Sequence, residues 1–405
     1  MPTLLQINTT LNQGSTGRIA EQIALLAEKN GWECYIAHGG RYVGRSEIKS
    51  IRISSKYDNF YHAIAGEFLG RHGLASTQAT KHFVDKIDRL KPDIIHLHNI
   101  HGYYLNYQVL FEYLAISNIP IVWTLHDCWS FTGHCTHFDN FGCDKWKIEC
   151  GNCPLLMAQY KSRIFDRSRK NYLLKKELYN QLQNVTIVPV SNWLGGLVSK
   201  SILGHFPIEV IHNGINIDLF KPLENTIRET YKIDSNKTII LGVVGSGFDN
   251  EKGKLEFIEL AKREDLQIIL VGLSGDDTKG LPDSIIKIER TQSQRELAEF
   301  YSAADVFINP TYNDTFPTTN LEALACGTPV VTYRTGGSPE AIDELTGIVI
   351  EKGDIDGLIA AIEMLREKGK GYYTKACRMR AKRCFNKDER FADYIKLYDR
   401  ILNSK

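Results

Sequence analysis

VFINPTYNDTFPTTNLEALACGTPVVTY, residues 306–333, reads as a strand, a turn, a short apolar helix and a second strand. VFINP (306–310) and TPVVTY (328–333) are nearly unbroken apolar runs of strand length. Strands that do not alternate with polar residues suit a parallel sheet covered on both faces, because each side of the strand then meets apolar neighbours. In such sheets ligands bind beyond the carboxyl ends of the strands, where helix N-termini aim free N–H groups outward. The turn is therefore the place to look for chemistry. Asp314 leads it, Glu322 follows eight positions on in the first turns of the helix, and Phe316, Pro317, Thr318, Thr319 and Asn320 lie between. The backbone of that segment would present donors to an anion. A carboxylate accepts two hydrogen bonds from vicinal hydroxyls, so acids flanking an amide cradle suit a sugar on one side and a ribose on the other. The plainer reading keeps Asp314 as a turn starter and Glu322 as an acid favoured near a helix N-terminus, each worth a few tenths to about 1 kcal/mol.

The same alternation extends through the chain. TLLQIN (3–8), ECYIAH (33–38), DIIHLH (93–98), PIVWTL (120–125) and VTIVPV (185–190) are strand candidates in the first half. TIILGVVG (238–245), LQIILVG (266–272), IIKIER (285–290) and GIVIE (347–351) join the two runs above in the second. Between the first pair, RIAEQIALLAEKNG sets Ile19, Ile23, Leu26 and Ala27 on one helical face and stops at Asn30-Gly31. ELAEFYSAA and LIAAIEML are further helices. Two successive βα arrays imply an α/β protein of two doubly wound, Rossmann-like domains. Their joint falls in VIHNGINIDLFKPLEN (210–225), where an Asn-Gly turn and a Pro end a strand. FADYIKLYDRIL near the C-terminus forms a helix able to dock on either half.

The totals narrow the class. A chain of 405 residues accommodates two or three domains at roughly 150 residues each. Its 43% hydrophobic and 24% charged residues are those of a globular protein, and a net charge of +1 favours neither nucleic acid nor an acidic surface as partner. MPTLLQINTT lacks the basic and apolar regions of a signal peptide, and no run approaches the ~20 apolar residues of a membrane span. The expected location is the cytoplasm. Five of the nine cysteines crowd into residues 128–153. Cys135, Cys143, Cys150 and Cys153 have the spacing of a closed tetrahedral zinc staple, with His134 and His137 nearby, and free or redox-active thiols are the alternative.

Three further stretches are candidates. QGSTGR (13–18) joins the first strand to the first helix, and Gly14 and Gly17 would let the backbone approach a phosphate or an acceptor. A glycine turn is also an ordinary connector. VVGSGFDNEKGK holds Ser246 and Lys252 in a Gly-rich turn, which by itself suits a solvated loop equally well. In VWTLHDCWSFTGHC, His126 ends a buried strand where side chains face the crevice, with Asp127 beside it. His96, His98 and His101 follow the preceding strand and serve as core or rim residues on the plain reading.

Asp314, the seven-residue gap, Glu322 and the following ALACGTPV resemble the acid-x7-Glu motif of retaining glycosyltransferases of family four, which have the GT-B fold. VIHNGINIDLFKP resembles the inter-domain segment of that family, and CFNKDERFADYIKLYDRIL its closing helix, which returns to the N-terminal domain. The resemblance implies two Rossmann-like domains facing a central cleft, with an N-terminal acceptor-side domain (1–210, with a Cys-rich insert at 128–154), a C-terminal nucleotide-sugar domain (211–385) and a final helix (386–405). It further implies that Glu322 binds ribose hydroxyls and Asp314 those of the transferred hexose. Lys252 before Gly253 matches the family's Lys-Gly, which neutralises the leaving diphosphate. His126 takes the place of the family histidine close to the reacting sugar, and Asp127 either orients it or binds the acceptor. The glycine loop of Gly14 and Gly17 is implied at the cleft. This chain departs from the family in having Asp at the first acid, and Ser246 and Gly247 where an Arg of the diphosphate clamp is usual, with Arg334, Lys254 or a main-chain nest as substitutes.

The expected activity is retaining transfer of a hexose from a nucleoside diphosphate sugar to a glycan or lipid-linked acceptor, in surface polysaccharide or glycoconjugate biosynthesis. Nothing resembles the metal motif of the other large glycosyltransferase fold, so no cofactor is expected at the donor site beyond a structural zinc elsewhere. Nucleic acid is not an expected partner. The rivals are a sugar-nucleotide epimerase or hydrolase on the same fold and a non-catalytic binding module. RISSKYDNFYHAIAGEFLGRHG (52–73) reads either as loose attachment to the inner membrane face or as a packed amphipathic helix.

Overall fold

The computed structural model describes residues 1–158, 160–244 and 247–404, and the chain divides into two compact units. The first unit comprises residues 1–212 and 390–405, and the second residues 213–389.

In the first unit the strands β1 (Thr3–Asn8), β2 (Glu33–His38), β3 (Lys49–Arg52), β4 (Ile94–Leu97), β5 (Ile121–Leu125) and β6 (Val185–Pro189) pair in the order β3-β2-β1-β4-β5-β6. Every pairing is parallel. Helices α1 (Gly14–Lys29), α2 (Lys56–Leu69), α3 (Thr77–Leu90), α4 (Tyr107–Ser117) and α5 (Ser168–Tyr179) lie in the crossovers, and α6 (Asn192–Val198) follows the last strand. Edge strand β3 escapes sequence inspection because KSIR is short and mostly exposed, as suits an edge.

The second unit repeats the pattern. After α7 (Ile227–Thr230) come β7 (Thr238–Val243), α8 (Lys254–Leu260), β8 (Leu266–Val271), β9 (Ile286–Ile288), α9 (Gln294–Ala303), β10 (Val306–Asn309), α10 (Thr318–Ala325), β11 (Val330–Tyr333) and β12 (Gly347–Ile350). Helices α11 (Ile355–Lys368) and α12 (Lys370–Phe385) follow, and α13 (Lys387–Asn403) contributes its residues from Arg390 onward to the first unit. The strand order β12-β11-β10-β7-β8-β9 is that of the first sheet, again wholly parallel. In each sheet the connection reverses direction beside the first strand, between β1 and β4 and between β7 and β10. Such switch points open a crevice at the carboxyl ends of the strands.

Burial explains why these segments fold as they do. Strands β4 and β5 are buried at every position, including His96 and Thr124. Along α1, Ile19, Ile23 and Ala27 are buried, and each large apolar side chain so removed from water contributes about 1.5–3 kcal/mol. They share a core with Trp32, Phe391, Tyr394 and Tyr398, so α13 completes the first unit. Beyond Asn213 the segment is held within the second unit, where Arg378 donates to the carbonyls of Ile217 and Phe220, each at 2.7 Å. Among the described residues no helix is long and apolar enough to cross a membrane.

The polar row within the first sheet is satisfied by α13. Nε2 of His96 lies 2.7 Å from Thr124 Oγ1, its Nδ1 lies 2.6 Å from the Tyr398 hydroxyl, and Thr124 Oγ1 donates to Tyr394 OH at 3.1 Å. Burial holds His96 well below the usual imidazole range, so it stays neutral and needs a partner at each nitrogen. Removing the Tyr398 hydroxyl leaves one nitrogen unpaired. Tyr398→Phe should therefore destabilise the first unit by about 1–3 kcal/mol and Tyr398→Ala by about 3–5 kcal/mol. Urea unfolding followed by fluorescence checks both, and equal midpoints for the natural chain and Tyr398→Phe would contradict the assignment.

Candidate active site

At the switch point of the second sheet, the loops after β7 and β10 are pressed together. Gly253 has φ +81°, and a Cβ there would lie 2.2 Å from Pro310 Cγ, so only glycine permits this approach. Two residues earlier, Glu251 accepts the Tyr312 amide on its carbonyl at 2.8 Å and the Asn313 side-chain amide on its carboxylate at 3.1 Å. These bonds set Lys252, at the end of a short 3₁₀ turn (Asn250–Lys252), close enough to Asp314 for its charge to act on the carboxyl. Beneath them, Glu256 Oε1 accepts from the hydroxyls of Tyr312 and Tyr333 at 2.8 and 2.7 Å.

Asp314 is half-buried, and its Oδ1 accepts the Phe316 amide at 3.0 Å. Burial raises its pKa to about 6 against the opposing pull of the Phe316 and Thr315 amides and of Lys252. Gly336, after β11, packs on its carbonyl: a Cβ at residue 336 would fall 1.7 Å from that oxygen. In the same loop the buried hydroxyls of Thr335 and Ser338 find no hydrogen-bond partner among the described residues.

Glu322 lies in the second turn of α10, half-buried, with Oε2 accepting from the hydroxyl of fully buried Tyr301 at 3.0 Å. No side chain caps the N-terminus of α10, where Thr318 and Thr319 are partly accessible. The expected cradle is narrower than the sequence suggests. The Phe316 amide is taken by Asp314 and the Phe316 ring is buried 5.8 Å from Phe385, while Pro317 has no N–H to offer. Asn320 is buried, its Oδ1 accepting from Asn309 at 2.9 Å.

The expected Ser246 lies outside the described residues. Two suggested substitutes for the absent arginine are engaged elsewhere: Arg334 pairs with Glu351 at 2.7 Å, and Lys254 donates to the carbonyls of Asp277 and Lys279 at 3.2 and 2.7 Å. Asp354-Ile355-Asp356 does spell Asp-x-Asp, but Asp354 caps α11 through the Gly357 amide at 2.8 Å.

In the first unit, α1 begins at Gly14, with φ +70° and open space where a Cβ would stand. Gly17 serves packing instead, since a Cβ there would meet Thr10 Oγ1 at 2.5 Å. His126 follows β5 and is held from the side: His98 Nδ1 lies 3.1 Å from His126 Nε2, and His98 Nε2 lies 2.8 Å from Gln6 Oε1. Burial lowers the His126 pKa to about 4, with Asp127 acting in the opposite sense. Asp127 does not share a hydrogen bond with His126. Its Oδ2 is 2.8 Å from His101 Nε2 and its Oδ1 accepts the Trp129 amide at 2.8 Å. Burial alone would raise Asp127, but the charge and hydrogen bond of His101, then His137 and the Trp129 amide, bring it down to about 2. His101 Nδ1 in turn lies 2.6 Å from the Tyr160 hydroxyl. The histidine that positions His126 is thus His98, legible in the sequence only as the second member of His96-x-His98 on a buried strand.

The cysteine insert packs as a knuckle. The Cys135 and Cys153 thiols act on one another, lowering Cys153 and raising Cys135, while Cys150 Sγ accepts the Gly133 amide at 3.3 Å and is pushed up to about 11 by burial. Among the described residues no three of His, Cys, Asp and Glu are arranged to hold a metal ion.

Two parallel, doubly wound units of this strand order are the build of the GT-B glycosyltransferases, and solved structures of that kind share it. Sucrose-phosphate synthase from Thermosynechococcus elongatus superposes with a TM-score of 0.73 at 18% identity over the whole of both chains. Anabaena Alr3699/HepE, solved with UDP and glucose, gives 0.66 at 15% identity over 98% of this chain and 99% of that one. The chain belongs to glycosyltransferase family 4: the profile described as Glycosyltransferase Family 4 matches residues 17–219, and that of Glycosyl transferases group 1 matches residues 239–368. A protein named as a colanic acid biosynthesis glycosyl transferase, WcaC of Escherichia coli (strain K12), is 22% identical over 88% of this chain and 89% of its own length. The D-inositol 3-phosphate glycosyltransferase of Mycobacterium sp. (strain KMS) is 28% identical over 40% of each chain. The protein is a glycosyltransferase.

The raised pKa of Asp314 has a stability consequence. A carboxyl that binds its proton more tightly in the folded chain stabilises the fold at low pH, and that contribution is lost as pH climbs from about 4 to about 6. Asparagine keeps the acceptor for the Phe316 amide and cannot ionise. Asp314→Asn should therefore be more stable than the natural chain at pH 8, by at most about 3 kcal/mol, with the difference vanishing near pH 4. Urea unfolding at the two pH values checks this, and a variant less stable at pH 8 would contradict it.

Proposed function

We propose that the chain transfers a hexose from a nucleoside diphosphate sugar to an acceptor hydroxyl with retention at the anomeric carbon, in the synthesis of a surface polysaccharide or glycoconjugate. The observation that carries this is the convergence of Lys252 and Asp314 at the switch point of the second sheet, with Glu322 fixed by Tyr301 on the adjoining helix. Glu322 accepts from the ribose hydroxyls, and the buried Tyr301 hydroxyl limits its rotamers so that one oxygen faces the ligand. The uncapped N-terminus of α10 and the Lys252 ammonium meet the diphosphate. Asp314 takes the hexose hydroxyls, in a site desolvated enough to strengthen each hydrogen bond.

Transfer breaks the bond between the anomeric carbon and the diphosphate oxygen and forms one to the acceptor oxygen on the same face. The acceptor proton passes to the departing diphosphate. Both the oxocarbenium-like sugar and the growing phosphate charge need stabilising, and Lys252 supplies the second without a metal ion. Within the first unit, burial keeps His126 neutral and able to hydrogen-bond, and His101, bonded to Tyr160, fixes Asp127 as an acceptor-binding group. The acceptor is a glycan or a lipid-linked sugar, in keeping with the name of the Escherichia coli relative, and the UDP and glucose in the Anabaena structure suit the donor class.

A panel of nucleotide sugars screened by thermal shift identifies the donor, since a specific ligand stabilises the fold by mass action. With that donor, Glu322→Gln and Lys252→Ala should each lower transfer by at least about 10-fold with melting temperature unchanged. Full turnover in both variants would refute the assignment.

A further inference from the structure

Helix α2 is amphipathic with its faces reversed. Tyr57, Phe60, Tyr61, Ile64 and Phe68 recur at three- and four-residue spacing, the pattern of a core-facing stripe. That stripe instead faces water: Tyr57, Phe60 and Tyr61 are 79%, 62% and 68% exposed. The side turned inward holds His62 and Gly66. It is fixed by polar contacts rather than by apolar burial. His62 Nε2 accepts the Gly73 amide at 3.0 Å and its Nδ1 lies 2.9 Å from Ser76 Oγ, while Asn59 donates to the Gly39 carbonyl at 2.8 Å. A Cβ on Gly66 would come within 2.7 Å of His72, so the helix cannot roll to bury its aromatics without losing this close seat.

A second segment extends the patch. The Arg163 amide donates to the Glu67 carbonyl at 2.7 Å and the Arg163 guanidinium pairs with the Glu67 carboxylate. This fastens residues 162–167 to the last turn of α2 and leaves Ile164 and Phe165 exposed beside Phe68 and Leu69. Residues 56–72 and 161–170 together carry seven Lys and Arg against three Asp and Glu. All three acids are engaged within the fold: Glu67 with Arg163, Asp58 with Ser55, and Asp166 with the Cys153 and Ser168 amides. Arg163 and Arg169 are likewise paired, with Glu67 and Glu149, so the outward positive charge rests on the remaining basic residues, Lys161 and Lys170 among them.

We propose that this face of the first unit docks on an anionic phospholipid bilayer. The aromatic and aliphatic side chains enter the interfacial zone, where rings with one polar edge are favoured, and the basic residues of 161–170 meet headgroup phosphates. Charge decides between this occupant and a second copy of the chain, because a two-fold dimer on the same patch would set two basic segments against each other. The proposal needs neither donor nor acceptor and stands apart from the transfer reaction.

Flotation of the full chain with vesicles tests it. The protein should float with vesicles containing phosphatidylglycerol and far less with phosphatidylcholine alone, and raised salt should weaken the binding. Phe60→Ser combined with Tyr61→Ser should lower the bound fraction by about 10-fold or more, and Lys161→Glu combined with Lys170→Glu should abolish the preference for anionic lipid. All four side chains are exposed, so thermal melting should be unchanged and should show that the variants fold. No flotation of the natural chain, equal flotation on both vesicle types, or equal flotation of the Phe60/Tyr61 variant would overturn the proposal. A dimer in sedimentation velocity that the Phe60/Tyr61 variant dissociates would do the same, by giving the face to a second copy.

Discussion

Pro310 and the backbone at residue 253 approach so closely that no side chain fits between them. The contact forces a glycine with positive φ at the start of α8 and, with it, the direction in which the preceding lysine leaves the chain. Glu251 then ties the 3₁₀ turn to the loop after β10 through both its carbonyl and its carboxylate. Two loops that end different strands thereby become one body, and the charge of Lys252 acts on Asp314 although 62 positions separate them in the sequence. Gly336 repeats the device on the other side of Asp314, where the loop after β11 closes on its carbonyl. The site is thus built from backbone proximity at a switch point, with polar side chains set into it afterwards.

The first unit uses the same strand order for a different end. Gln6, His96, His98 and Thr124 form a row of neutral polar groups inside the sheet, each satisfied by another or by the tyrosines of α13. Burial removes charge from the histidines, so the row acts through hydrogen-bond direction rather than through electrostatic field. His126 stands at its end. A residue in that position is oriented by the strands themselves and by a helix from the far end of the chain, which accounts for an imidazole held neutral in one rotamer.

Much of this was legible in the sequence, because strands buried on both faces announce themselves as unbroken apolar runs. TLLQIN and ECYIAH take their expected bounds as β1 and β2, and the others differ by a residue or two at their ends. Strand β3 was not legible, since KSIR is polar, short and bonded on one side only. Asp314 and Glu322 were visible through their spacing, whereas Tyr301, Glu251 and Gly336 were not, because what matters about them is contact across loops distant in sequence. The amide cradle was overestimated for a local reason: an aspartate that opens a turn satisfies the amide two residues on, and that donor is no longer free. Helix α2 shows the limit of periodicity, which states that a helix has an apolar face and leaves open what that face meets.

We propose that Lys252, Asp314 and Glu322 hold the two ends of one nucleotide sugar. A crystal structure of the chain soaked with the nucleoside diphosphate that raises its melting temperature most would test this directly. Ribose hydroxyls should lie on Glu322, phosphate oxygens at Lys252 and the N-terminus of α10, and Asp314 should face the space beyond the terminal phosphate. A diphosphate bound away from Lys252, or a ribose that leaves Glu322 untouched, would contradict it.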